Sequence, residues 1–289
     1  MLEHLNPKNE TPKRVVVAGA SGFVGSAVAS RLERDGIDVL RVTRADVNFL
    51  AADAASRLKG LLRTGDTLVA ASAMAPVKNA EMLRDNMILA AAIIKAAQGV
   101  ALAHVINISS DAVYGDEQLP LTEKSAAAPG SLHGAMHLAR ELMFQNEIQA
   151  PLAILRPSLL YGAADPHNGY GPNRFQRLNT KGEQIVLFGN GEERRDHVFI
   201  DDVADLAARI ILRRSVGILN IATGTVTSFR DIAEMINQQA KCPVPIISSP
   251  RSGPIPHNGY RPFDAAATHR AFPDFRYTPL GIGLAKIRA

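Results

Sequence analysis

A glycine-containing segment near the amino terminus, residues 14–25, constrains the fold of this chain more than any other feature. Residues 15–18 are Val-Val-Val-Ala, and so short an apolar run predicts a buried β-strand. Gly19, Gly22 and Gly25 follow at three-residue spacing, and the next apolar residues recur at helical spacing. The segment therefore predicts a strand, a tight turn and a helix, which together begin a βαβ unit.

Each glycine has a distinct physical purpose in such a unit. Gly19 permits the tight turn, Gly22 lets the backbone approach a pyrophosphate, and Gly25 lets the helix pack close to the sheet. The helix N-terminus adds free N–H groups and a partial positive charge, which favour a phosphate. A glycine-rich turn without a ligand is the alternative, but the next predicted strand, at 38–43, agrees with a dinucleotide site. We therefore predict that a dinucleotide is held by Gly19, Ser21, Gly22, Phe23, Val24 and Gly25.

The end of the second predicted strand indicates which dinucleotide binds. Arg44 stands where NAD-preferring proteins of this type usually carry an acidic residue for the ribose 2′-hydroxyl. A guanidinium instead pairs with a 2′-phosphate, so Arg44, with Arg41 as a lesser candidate, favours NADP over NAD. A solvated surface arginine is the alternative. Asp46 and Val47 are expected to border the adenine. Ala71, after the next strand, is small enough to pass the cofactor, although tight packing explains it equally well.

Composition excludes several classes of function. Of 289 residues, 46% are hydrophobic and 21% charged, as in ordinary globular proteins. The net charge is +4, but basic residues are scattered among acidic ones, so nucleic acid is not an expected partner. Cys242 is the only cysteine, which excludes an intramolecular disulfide and favours a cytoplasmic location. The polar residues 1–12 do not resemble a signal peptide, and charged and polar residues interrupt the alanine-rich run at 89–105, so we expect no membrane span.

Four later motifs, together with the glycine segment, resemble those of the extended short-chain dehydrogenase/reductases, the nucleotide-sugar NAD-dependent epimerase/dehydratase family. The similarity spans residues 13–280. The stretch 43–48 also resembles NADP-dependent GDP-fucose synthases, in agreement with NADP. In chain order, the motifs are Ser109-Ser-x-x-Val-Tyr-Gly115, Pro129-x-Ser131-x-x-Gly134 with Glu141, Arg156-Pro-Ser-x-x-Tyr-Gly162, and Gly189-Asn-Gly191 followed by Arg195-Asp196 and Asp201-Asp202-Val203.

The resemblance implies an α/β fold of the Rossmann type. Its doubly wound sheet is expected to have seven strands, mainly parallel, and a small carboxyl-terminal lobe is expected to bind the substrate. We predict a loose tail over 1–12, a dinucleotide-binding domain over 13–165 and about 198–223, and a substrate lobe over about 166–197 and 224–289.

The resemblance breaks at the motif that carries the family's chemistry. Family members begin the helix after Pro129 with Tyr-x-x-x-Lys, whereas His133 and His137 occupy those positions here. Four-residue spacing places both rings on one helix face. His133 could act as the acid/base, because imidazole titrates near pH 6.5, with His137 hydrogen-bonding the nicotinamide ribose. The pair could instead ligate a metal, although no further Cys or His cluster is evident, so we predict no metal site. Both rings could also fill the cleft of a protein without this chemistry.

The resemblance also implies residues that contact the substrate. Ser110 stands where the family's catalytic hydroxyl hydrogen-bonds the reacting sugar oxygen, and Asp111 follows it. Arg195 resembles the arginine that clamps a nucleotide diphosphate, where bidentate contact is apt. Arg261 is a second candidate clamp, with a surface arginine as the alternative. Asn173 begins a helix beside the expected cleft.

These residues predict an NAD(P)-dependent oxidoreductase or epimerase that acts on a nucleotide-activated sugar or a related carbohydrate by hydride transfer. Ala112 occupies the position of a glutamate in the dehydratases, which argues against 4,6-dehydration. Tyr161 is expected to pack in the core. A catalytically silent nucleotide-binding protein that senses or scaffolds is the alternative. The resemblance further implies a homodimer.

Overall fold

The computed structural model describes residues 2–116 and 119–288. In chain order, the strands of this part are β1 (Glu3–His4), β2 (Val15–Ala18), β3 (Val39–Val42), β4 (Thr67–Ala70), β5 (His104–Ile108), β6 (Leu152–Pro157), β7 (Leu159–Tyr161), β8 (Ile185–Phe188), β9 (Arg194–Phe199), β10 (Ser215–Ile221), β11 (Val226–Ser228), β12 (Ile246–Ser249) and β13 (Tyr260–Arg261). The α-helices are α1 (Phe23–Arg34), α2 (Ala54–Leu61), α3 (Ala80–Ala97), α4 (Leu132–Glu147), α5 (Pro172–Thr180), α6 (Ile200–Leu212), α7 (Phe229–Gln239), α8 (Ala266–Ala271) and α9 (Leu280–Arg288).

The main sheet has seven strands within the described residues, in the order β1-β10-β6-β5-β4-β2-β3. Strands β2, β3, β4, β5, β6 and β10 are parallel, and only β1 runs antiparallel to its neighbour. Helices α1 and α6 cover one face, and α2, α3 and α4 cover the other. Burial on both faces explains why β2 and β4 are almost entirely apolar, whereas the buried β5 also carries the polar His104 and Asn107. The predicted Rossmann-type sheet is confirmed.

The amino-terminal residues differ from the predicted loose tail. Glu3 and His4 pair with Val216 and Ser215 as the antiparallel edge strand β1. The His4 ring hydrogen-bonds the Ser215 hydroxyl at 2.7 Å and lies 3.0 Å from the carbonyl oxygen of Ala271. The polar sequence of this segment gave no sign of these partners because they lie more than 200 residues away in the chain.

A smaller lobe is built around β9, which pairs with β7, β11 and β13. Helices α5, α7 and α9 pack beside it around Phe175, Phe229 and Leu284. The pairing of β7 with β9 differs from the predicted boundary, which left residues 159–161 in the dinucleotide-binding domain. In the part of the chain that is described, no helix combines the length and the apolar character needed to cross a membrane.

Candidate functional site

A cavity of about 1050 Å³ opens at the carboxyl ends of β4, β5 and β6, where doubly wound sheets bind their ligands. The smaller lobe forms its opposite wall. Residues of the predicted dinucleotide site and of the predicted substrate site therefore line one cavity, although their motifs are spread over most of the chain. The predicted residues that line it are Gly22, Phe23, Val24, Ala71, Ser110, Asp111, His133, His137, Asn173, Arg195 and Arg261.

The three glycines of the turn have separable structural roles. Gly19 has a φ of +90°, and a Cβ there would lie 2.6 Å from the backbone nitrogen of Ser72. A Cβ on Gly25 would overlap the carbonyl oxygen of Gly19, so this glycine lets α1 approach the turn. A Cβ on Gly22 would meet only that same oxygen, at 3.3 Å, and Gly22 lines the cavity.

The first turn of α1 is open to an anion. Gly22 is its N-cap, and no side chain accepts a hydrogen bond from the free N–H groups there. Ser21, beside the cap, is exposed, and Phe23 and Val24 are partly buried against the smaller lobe. An uncapped helix N-terminus behind a side-chain-free Gly22 fits the pyrophosphate of a dinucleotide.

Arg44 and Arg41, at the end of β3, differ in whether other side chains of the protein bind their guanidinium groups. Arg41 forms two hydrogen bonds of 2.7 Å with the carboxylate of Glu33 and a third with the hydroxyl of Ser30. Arg44 is exposed and has no hydrogen-bond or ion-pair partner among the described residues. Arg44 is therefore the arginine whose guanidinium is available to an incoming phosphate.

Asp46 is exposed and Val47 is buried, and their predicted place beside the adenine stays a prediction. The Asp46 carboxylate accepts hydrogen bonds from the backbone N–H and the hydroxyl of Thr43, at 2.8 and 2.7 Å. Val47 is 1% exposed and belongs to the apolar core. Asp46 therefore closes the turn that carries Arg44.

The loop after β4 is held by Asn86, a residue that the sequence analysis did not single out. Its amide oxygen accepts a hydrogen bond from the Met74 N–H at 2.9 Å, and its nitrogen donates to the carbonyl of Met74 at 3.0 Å. Ala71 and Ala73 of this loop line the cavity. The sequence signal that could have identified Asn86 was its position as a polar residue on the apolar face of α3, where the structure buries it fully.

His133 and His137 lie together on α4 and line the cavity. Their ring centroids are 4.7 Å apart, with the planes at 84°. A Cβ on Gly134 would overlap the carbonyl oxygen of Ala112, so this glycine lets the start of α4 press against the segment that carries Ser110. The Nδ1 atoms of both rings are sealed from solvent without a hydrogen-bond partner, which leaves Nε2 as the available atom of each.

Both histidines are uncharged at neutral pH. Burial lowers the pKa of His133, His167 lowers it further, and the carboxylate of Asp111 opposes them. Burial holds the pKa of His137 well below its usual value, and the charges of Arg140 and His133 add to this. No group of three or more His, Cys, Asp or Glu residues in segments 2–116 and 119–288 is placed to hold a metal ion.

Ser110 and Asp111 begin a short 3-10 turn beside α4. The Ser110 hydroxyl accepts a hydrogen bond from the Ala112 N–H at 3.1 Å and donates a long one, 3.3 Å, to Asp111. A hydroxyl engaged only by a long bond can exchange it for a substrate oxygen. The Ser110 hydroxyl therefore keeps a proton that it can donate to a ligand.

Three of the family motifs meet in a buried network behind this turn. The Ser109 hydroxyl donates to Glu141 at 2.5 Å, and Arg156 donates to both oxygens of the same carboxylate at 2.9 and 2.5 Å. Arg156 also donates to the Tyr114 hydroxyl, which donates in turn to Asn220. The network fixes the end of β5, so these motif residues support the site rather than act in it.

Arg195 is buried on the cavity wall with one carboxylate beside it. Its Nη2 lies 2.6 Å from a Glu193 oxygen and donates to the Pro256 carbonyl at 2.7 Å. Burial lowers its pKa first, and the charges of Glu193 and Arg261 act in opposite directions on it. The two predicted clamp arginines are therefore close enough to repel each other.

Arg261 is not the surface arginine of the alternative reading, since it is 2% exposed. It donates to the Asp111 carboxylate at 3.2 Å, to Asp116 at 2.7 Å and to the carbonyl of Asp111 at 2.8 Å. Asp111 thus lies between this cation and His133. A ligand phosphate at Arg261 must compete with the Asp116 carboxylate.

Two other predicted residues hold the wall in place. Asn173 accepts a hydrogen bond from the Gly162 N–H at 3.2 Å and donates to Asp165 at 2.6 Å. Both ends of its amide are therefore engaged with the protein. Tyr161 is fully buried and in contact with Phe199, as expected of a core residue.

Comparison with known families identifies the chain. The profile of the NAD dependent epimerase/dehydratase family matches residues 15–222. The chain belongs to this family. The site roles expected of the glycine turn, Ser110, Arg195, His133 and His137 stay predictions.

Individual members of the family and solved structures agree with this assignment. The UDP-glucose 4-epimerase of Mycolicibacterium smegmatis is 28% identical over 277 residues, which cover 84% of this chain and 88% of that protein. The UDP-N-acetylglucosamine 4-epimerase of Bacillus cereus has the same fold, with a TM-score of 0.82, 22% identity and 95% of both chains covered. MoeE5, solved with UDP-glucose and NAD, gives a TM-score of 0.79 at 24% identity, with 95% of this chain and 97% of that one covered.

Proposed function

We propose that this protein is an NAD(P)-dependent oxidoreductase or epimerase acting on a nucleotide-activated sugar or a related carbohydrate. One observation carries the proposal: Gly22 of the glycine turn, Ser110, His133 and the buried Arg195 line the same cavity. A nucleotide sugar whose diphosphate binds Arg195 would thus share one cavity with His133 and with a dinucleotide held by the glycine turn. The relatives include UDP-glucose and dTDP-L-rhamnose 4-epimerases, which supports this substrate class.

Protons are moved by His133 in the proposed reaction. A dinucleotide held by the glycine turn would accept a hydride from one sugar carbon and return it. His133 takes the proton of the sugar hydroxyl on Nε2, which is possible because the ring is uncharged at neutral pH. Ser110 donates a hydrogen bond to the same oxygen and holds it in place. His137 binds a ribose hydroxyl through its own Nε2.

A catalytically silent nucleotide-binding protein is the second candidate. The observation that favours it is the replacement of the motif tyrosine and lysine by His133 and His137, whose rings pack on each other. Such a protein would keep Arg195 and the glycine turn for binding alone. The homodimer, for which α3 and α4 carry exposed Ile88 and Leu142, stays a prediction, as does the cytoplasmic location.

Turnover of nucleotide sugars tests the two candidates against each other. We expect the purified protein with NADP⁺ or NAD⁺ to convert at least one UDP-, dTDP- or GDP-sugar, as measured by NMR of the products. Arg195→Ala should weaken nucleotide-sugar binding by about 10- to 100-fold, the usual range for a charge-assisted contact. Arg194→Ala is the matched control, because Arg194 is exposed and lies over the Tyr260 ring.

Binding of a nucleotide sugar without any turnover would favour the silent binder. Failure to bind a dinucleotide would contradict both candidates. Loss of dinucleotide and nucleotide-sugar binding together in Arg195→Ala would indicate structural damage instead of a lost phosphate contact.

We also propose that NADP is the preferred dinucleotide, with Arg44 binding the 2′-phosphate. NADPH should then bind more tightly than NADH by about 1 to 3 kcal/mol, and Arg44→Ala should remove most of this difference. Calorimetric titration of both cofactors measures it. Arg41→Ala is the matched control. Because Glu33 already pairs with Arg41, this substitution should leave the preference for NADPH over NADH unchanged. Equal affinities in the unmodified protein would refute the role of Arg44.

A further inference from the structure

Arg140 is a fully buried cation one helical turn beyond His137. It is 0% exposed, its Nη1 donates to the Ser72 carbonyl at 2.5 Å, and its Nη2 donates to the Asn107 side chain at 3.3 Å. Its Nε is sealed from solvent without a partner. No carboxylate among residues 2–116 and 119–288 forms an ion pair with it.

Such a charge is costly, and its neighbours do not neutralise it. An unpaired ion in a protein interior costs several kcal/mol in lost hydration. Burial lowers the pKa of Arg140 to about 10, so the group stays charged at neutral pH. Glu141, the next residue on α4, already pairs with Arg156 and Ser109. The charge of Arg140 is therefore not used in a structural ion pair.

The position of this charge relates it to the cofactor side of the cavity. Ser72, which accepts from Arg140, lies so close to the glycine turn that a Cβ on Gly19 would be 2.6 Å from its hydroxyl oxygen. Ala71 and Ala73, on either side of Ser72, line the cavity. Arg140 does not line it, so any effect on a ligand is transmitted by its electric field and through the groups it holds.

We propose that Arg140 is a positioning residue that supplies, from behind the cavity wall, the fixed positive charge that an uncharged His137 cannot supply. This inference rests on the proposed function. The charge adds to the effect of burial, which already lowers the pKa of His137 and keeps the imidazole neutral, so that its Nε2 is free to bind a ribose hydroxyl. It also opposes the positive charge of an oxidised nicotinamide more than it affects the neutral reduced form, which makes the bound cofactor a stronger oxidant.

Arg140→Met and Arg140→Lys form the test, because methionine removes the charge and lysine retains it. In Arg140→Met without cofactor, NMR titration of the ring protons should show a raised His137 pKa. Oxidised dinucleotide should bind more tightly relative to the reduced form, by about 3- to 10-fold. Arg140→Lys should stay close to the unmodified protein in both measurements.

The double variant Arg140→Met/His137→Lys separates a lost charge from lost packing. It returns a cation to position 137, so the ratio of the two affinities should return toward that of the unmodified protein. A merely structural role would lower the unfolding midpoint of Arg140→Met and leave both the His137 pKa and the affinity ratio unchanged. That result would overturn the inference while leaving the proposed function intact.

Two further outcomes are distinguishable. If Arg140→Met does not fold, the single variant His137→Lys is measured in its place. The ammonium introduced at position 137 should then have a lowered pKa because it lies beside Arg140. An ordinary pKa for this ammonium would overturn the inference. If no variant and no unmodified protein binds a dinucleotide, the proposed function fails, and the inference fails with it.

Discussion

Replacing His133 with alanine is expected to lower turnover by about two to four orders of magnitude, the usual contribution of a positioned proton-transfer group. The affinity for the dinucleotide should change little, because the glycine turn and Arg44 are untouched. Steady-state kinetics on the nucleotide sugar that the protein converts, with separate titration of the cofactor, measure the two effects. His269→Ala is the matched control, since His269 is exposed on α8 and outside the cavity lining.

The pH profile gives this prediction a second, independent readout. Burial lowers the pKa of His133 below its usual 6.5. A general base must be unprotonated, so the rate of sugar oxidation should rise as the pH increases through this pKa and then level off at neutral pH. Sugar reduction needs the protonated ring, so its rate should fall over the same interval. In His133→Ala both dependences should disappear; an unchanged rate or profile would assign the proton transfer to another group.

The glycine turn shows why part of this site could be predicted from sequence. Gly19 adopts a φ of +90°, which favours glycine, and Gly25 leaves room for the carbonyl oxygen of Gly19, so both positions are constrained by backbone geometry within one short segment. The same holds for the apolar strands β2 and β4, whose burial on both faces leaves a continuous hydrophobic run. The dinucleotide-binding half of the fold therefore follows from short segments read in order.

The partners of charged side chains could not be predicted in this way. Arg41 and Arg44 differ by three positions, yet only the structure shows that Glu33 engages the first and leaves the second available. Arg261 lies about 150 residues from Asp111, which accepts its hydrogen bond. Such pairs depend on the tertiary fold, and no periodicity within one segment reports them.

Arg140 illustrates the same limit more strongly. In sequence it is one polar residue among several on an amphipathic helix, typical of a solvated face. The structure places it at 0% exposure, with a carbonyl and an amide oxygen as its acceptors. An arginine at the edge of the apolar face of a helix can point to solvent or to the sheet. The rotation of the helix about its axis decides between the two, and tertiary packing fixes that rotation.

Gly22→Val is expected to abolish dinucleotide binding and to leave the protein folded. The new side chain would lie where the pyrophosphate approaches α1, so the dissociation constant should rise by at least about a hundredfold. The fold should tolerate it, because Gly22 has an ordinary φ of −78° and a Cβ there meets only the Gly19 carbonyl, at 3.3 Å. Fluorescence titration with NADPH measures the first effect and thermal unfolding the second.

Two further glycine-to-valine variants serve as controls for the Gly22→Val result. Gly60→Val makes the same change on the exposed face of α2, where a Cβ meets nothing within 4 Å, and should bind the dinucleotide normally. Gly25→Val should instead lower the unfolding midpoint, because its Cβ would overlap the Gly19 carbonyl oxygen. If Gly22→Val bound NADPH as tightly as Gly60→Val does, the glycine turn would be a structural turn only, and the dinucleotide would have to bind elsewhere.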